Sequence, residues 1–83
     1  MVRKDGAETR KERYVIIAQT IQQLLFKAKE QGLNHIPLRK SIVGFKVEMG
    51  LTTEKIMEYM KDLEELGQFE IDYEKDQIRR SVV

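Results

Sequence analysis

Three glycines punctuate this chain. Gly32, Gly50 and Gly67 each follow a run of apolar residues at helical spacing, so the first four-fifths of the 83 residues read as three helices with short links. Tyr14, Ile17, Ala18, Ile21, Leu24, Leu25 and Ala28 recur every three or four positions and form one stripe. Thr9-Arg10-Lys11-Glu12 fits a capping box, which places the start of the first helix at Thr9 and leaves residues 1–8 as a flexible arm. After Gly32 and Leu33, the link Asn34-His35-Ile36-Pro37 reads as extended, because Pro37 biases Ile36 away from helix. Leu38, Ile42, Phe45 and Met49 make the stripe of a short second helix. Thr52 is placed to cap the third, whose buried face is Ile56, Tyr59, Met60, Leu63 and Leu66.

Past Gly67 the period drops from 3.6 to 2. Phe69, Ile71 and Tyr73 alternate with Glu70 and Asp72, and Ile78, Arg80 and Val82 follow Glu74-Lys75-Asp76 on a returning strand. The pattern predicts a mainly α domain over residues 9–83, three helices plus a two-stranded hairpin. No tight Asn-Gly turn fixes the hairpin register. A second domain would leave neither half enough core.

Composition removes whole classes of chemistry. There is no cysteine and one histidine, His35, so a thiolate metal site, a disulfide framework, a cysteine nucleophile, a catalytic triad and a histidine-rich metal site are all excluded. No nucleophile–base pairing is visible, so the chain reads as a non-enzyme without cofactor or metal. No apolar run is long enough to cross a bilayer, and no hydrophobic stretch follows the N-terminal charges, so neither a membrane span nor a signal peptide is expected and the cytoplasm is the default location. The formal charge of +1 hides an asymmetry: the basic excess lies in residues 1–49 and the acidic excess in residues 50–83.

The segment from Ile36 to Arg80, IPLRKSIVGFKVEMGLTTEKIMEYMKDLEELGQFEIDYEKDQIRR, resembles the winged helix-turn-helix family. An extended pair, a short helix, Gly50-Leu51-Thr52-Thr53, a longer helix with Ile56, Met60 and Leu63, and then Leu63-Glu64-Glu65-Leu66-Gly67 running into an alternating strand carry the likeness. The resemblance implies three helices plus a two-stranded wing. It further implies binding to double-stranded DNA by a small transcription regulator of the archaeal and bacterial kind, with the third helix in the major groove and the wing on the backbone. Some relatives of this fold serve instead as protein-interaction modules without direct DNA contact.

Carried onto this chain, the DNA-binding candidates are Arg39 and Lys40 on the second helix and Thr52 and Thr53 at the start of the third. Lys55, Met57 and Lys61 on the third helix, and Lys75, Arg79 and Arg80 on the wing, complete the set. A helix start offers free amides to a phosphate, although Thr52 can equally serve only as a cap. The outward face of the third helix also carries Glu54, Glu58 and Glu65, which phosphates would repel. That face reads alternatively as a solvated surface with Lys61 and Glu65 as an i,i+4 pair. On the first helix Val15, Gln19, Gln22 and Phe26 lie off the core stripe, a neutral seam suited to a homodimer contact. The alternative cover for that seam is the hairpin or Val82-Val83.

Overall fold

The computed structural model describes residues 6–81. The order of elements is α1 (Gly6–Glu30), β1 (His35–Pro37), α2 (Leu38–Met49), α3 (Thr53–Glu65), β2 (Glu70–Asp72) and β3 (Gln77–Arg79). The chain is therefore mainly helical with a small antiparallel sheet. Residues 1–5 of the expected arm, and Val82-Val83, lie outside the described residues.

The start of α1 differs from expectation. The helix already includes Gly6, the first described residue, so Thr9 lies inside it and the Thr9–Glu12 box does not mark its N-terminus. Ala7, the strongest helix former, favours that extension. The end is as the glycine spacing predicts. Gly32 sits at φ 81°, Leu33 N–H donates to Ala28 O at 2.8 Å and Gly32 N–H to Lys29 O at 3.0 Å. These two bonds satisfy carbonyls that a helix end leaves open, and the left-handed backbone they need is strained for any residue with a Cβ. Gly67 closes α3 by the same pair of bonds, from Gln68 N–H to Leu63 O and from Gly67 N–H to Glu64 O.

The sheet has three strands, in the order β1-β3-β2, where a two-stranded wing was expected. The link at His35–Pro37 is the extra strand: Ile36 pairs with Ile78, and Ile78 pairs in turn with Ile71. Pro37 had already biased this segment towards extended backbone. As an edge strand β1 tolerates a residue with no N–H to give. The other edge, β2, is tied to α3 by Glu64, whose carboxylate accepts from Ile71 N–H at 2.8 Å.

Ile36 and Ile78 carry the apolar face of the sheet into the core. There they meet Ile17, Ile21 and Leu25 of α1, Ile42 and Phe45 of α2, and Ile56, Met60 and Leu63 of α3, with Phe69 fully buried in the link before β2. Burial of each such side chain contributes about 1.5–3 kcal/mol. Two members of the expected core stand outside it. Leu66 is 72% exposed because α3 ends at Glu65 and Leu66 belongs to the cap, and Leu24 is only partly covered at the rim between α1 and α2. The long α1 gives the molecule its extents of 47 × 24 × 21 Å.

Candidate nucleic-acid interface

α2 and α3 are joined by Gly50-Leu51-Thr52, and Thr52 caps α3. Its backbone is extended at φ −76°, ψ 159°, and its Oγ1 accepts from Lys55 N–H at 3.2 Å. The hydroxyl is thus committed as an acceptor to the helix and keeps one hydrogen to donate outward. Thr53 stands beside it, exposed, as the first residue of α3. Beyond them the outward side of α3 carries exposed Glu54, Glu58, Lys61, Asp62 and Glu65. Lys61 and Glu65 form no ion pair among the described residues, so the i,i+4 pairing is not made.

Several of the expected contact residues are already engaged within the fold. Lys55 folds back along α3, with Nζ 3.3 Å from Glu58 Oε2 and 5.8 Å from the centre of the Tyr59 ring. Met57 was placed on the outward face; it is half-buried and packs against the core. It lies only about 100° round the helix from Ile56, within reach of a flexible side chain turning inward. Arg79, in the central strand, sits 3.4 Å from Asp72 Oδ2, and its Nε is buried with no hydrogen-bond partner. Lys40, Lys61, Lys75 and Arg80 remain as exposed cations, with Lys75 on the hairpin turn and Arg80 just past β3.

The hairpin turn does not project freely. Asp76 adopts a left-handed backbone at φ 57°, a conformation that Asp tolerates better than most residues. Its carbonyl accepts from Leu38 N–H at 3.0 Å and its Oδ1 from Arg39 N–H at 3.0 Å. The N-cap position of α2 is Pro37, which supplies no side-chain bond, so Asp76 caps α2 from the far end of the chain. The Arg39 guanidinium also lies 3.9 Å from Asp76 Oδ1. The positive end of α2 is therefore occupied by a carboxylate, while the Arg39 side chain stays 89% exposed. Nothing local in the sequence signals this pairing, although a helix starting after Pro with no hydroxyl or carboxylate at the cap poses the question of what fills it.

A second polar cluster, between α1 and α3, also escapes sequence reading. Tyr14 and Tyr59 meet edge to face, with centroids 4.7 Å apart. Tyr14 donates to Asp62 Oδ2, and Arg13 Nη1 donates to the Tyr59 hydroxyl at 3.3 Å. The bond to Asp62, with burial second, pushes the Tyr14 hydroxyl above its ordinary value of 10.0. Arg10, Lys55 and Lys61 border the same hollow, of about 390 Å³.

The seam predicted on α1 stands at the surface. Val15 is 45% and Phe26 59% exposed, and Gln19 and Gln22 are exposed between them. Gln22 Nε2 donates to the carbonyl of Gln68, which ties the seam's edge to the link after α3. The hairpin does not cover it, since all four seam residues stand exposed. Among the described residues no helix is long and apolar enough to cross a membrane, and no group of three or more acidic or histidine side chains is placed to share a metal ion. No protein-family model, curated protein or solved structure matches the chain.

Proposed function

We propose that the chain is a winged helix-turn-helix protein that binds double-stranded DNA as a transcription regulator, working in the cytoplasm. The observation that carries this reading is the juxtaposition of two helices across a three-residue turn with a hairpin whose tip is fastened to the first of them. Thr52 and Thr53, Lys75 and Arg80 then share one rigid frame instead of lying on loose segments. The contact leans on the N-terminus of α3, the wing tip and Lys40. It does not run along α3, whose outward carboxylates oppose phosphate.

Binding of this kind is electrostatic and falls steeply with salt. A mixed-sequence duplex titrated at two salt concentrations is expected to lose affinity at the higher one. Lys75→Ala and Arg80→Ala are each expected to lower the slope of log affinity against log salt by about 1. Absence of any complex at the lower salt overturns the reading.

One observation favours a second reading, that of a protein-interaction module: Glu54, Glu58, Asp62 and Glu65 make a largely acidic surface on α3. Such a surface fits a basic protein partner. In that case the same titration shows no DNA complex, and the triple change Glu54→Lys, Glu58→Lys and Glu65→Lys creates affinity for duplex where none existed.

A further inference from the structure

We infer that α1 mediates an antiparallel, two-fold self-association in a single register. The seam residues Val15, Gln19, Gln22 and Phe26 continue at the same alternating four-and-three spacing to Glu12 on one side and Lys29 on the other. All six lie within the 25-residue α1 and are exposed; Val15, Gln19 and Phe26 face away from the buried Ile17, Ile21, Leu25 and Ala28, and Gln22 and Lys29 border that stripe. This spacing is that of helix pairs packed side by side, in which each layer across an antiparallel seam joins residues equidistant from the two-fold axis.

Placed with the axis between Gln19 and Gln22, the six positions are self-complementary. Val15 meets the partner's Phe26, Gln19 meets the partner's Gln22, and Glu12 meets the partner's Lys29. Each layer recurs once on the other side of the axis. The result is a polar amide centre, an apolar layer on either side and an opposite-charge layer at each end. Gln22 spends one N–H on Gln68 O, which leaves its amide oxygen to accept from the partner's Gln19.

The alternatives conflict with the same residues. A parallel pair sets Glu12 on Glu12 and Lys29 on Lys29. An antiparallel pair slipped by seven residues sets Gln22 against Phe26 and strands an amide in an apolar layer. Charge and polarity therefore select the occupant, a second copy, and its direction. The four exposed apolar or amide positions explain why a helix with one buried stripe also carries apolar residues on its far side.

The chain has no cysteine, which makes the register directly testable. Val15→Cys and Phe26→Cys proteins are prepared separately, checked for retained helicity, and oxidised alone and as a mixture, alongside a solution-mass measurement of the unaltered chain up to high micromolar concentration. The inference expects twice the chain mass, with disulfide-linked dimer forming in the mixture and far less in either protein alone. Two Val15 positions in this register are separated by about 16 Å along the axis, beyond the Cα reach of a disulfide of about 7 Å. Lys29→Glu weakens association at least several-fold and Glu12→Lys added to it restores it. A monomeric mass overturns the inference, as does cross-linking of Val15→Cys protein alone to the level of the mixture, which signals a parallel pair.

Discussion

Asp76 does more for this fold than its position in an exposed turn suggests. Its side chain caps a helix that begins 38 positions earlier, and its left-handed backbone turns the hairpin. The two roles can be separated by substitution. Asp76→Asn keeps an acceptor and tolerates the same backbone, and is expected to change stability little. Asp76→Gly accommodates the left-handed backbone and loses the cap alone, and urea unfolding should show it less stable by about 0.5–2 kcal/mol. Tyr14 offers a second residue-level test. Its hydroxyl titrates above 10.0 in the folded chain because it donates to Asp62. That contribution to stability is complete below pH 10.0 and is lost as pH rises through the raised folded value. Unfolding midpoints should fall on the alkaline side, and Tyr14→Phe should fall less steeply there. Thr52 was readable as a cap because cap and helix adjoin in sequence. Asp76, Tyr14 and Asp62 were not readable, since their partners come together only once the hairpin has packed on α2, and α1 on α3.

At the scale of elements, glycine does two opposite things. Gly67 takes a left-handed backbone, so Gly67→Ala is expected to destabilise by about 1–2 kcal/mol. Gly44 lies inside α2 with ordinary helical backbone, and a Cβ there would meet nothing within 4 Å. Gly44→Ala is therefore expected to stabilise by about 0.5–1 kcal/mol, and thermal unfolding of the two variants should move in opposite directions. The helices were legible because their stripes and stops are local. β1 was not, because three residues of extended chain carry no period and become a strand only when β3 arrives to pair with them. The same limit applies to α1. Thr9 resembles a cap, yet helix propensity upstream carries the helix past it to Gly6.

For the molecule as a whole, one core serves all six elements, and Phe69 sits in it with no exposed surface. Phe69→Ala is expected to cost about 3–5 kcal/mol. A domain has about 5–15 kcal/mol in total, so the loss is a large fraction of it and thermal unfolding followed by circular dichroism should move to markedly lower temperature. Arg39, Lys55 and Arg79 each stand near a carboxylate, on Asp76, Glu58 and Asp72. Arg39 and Lys55 stay accessible beside their carboxylates, and Arg79, with its buried Nε, is the most enclosed of the three.

The fastening of Asp76 to α2 also gives the hairpin a built-in gauge. The amide protons of Leu38 and Arg39 are held by no residue of their own helix but by the hairpin turn. Their exchange with solvent deuterium should thus report the opening of the turn, even while the rest of α2 stays protected. A ligand gripping the wing would slow those two protons ahead of any other pair at a helix start.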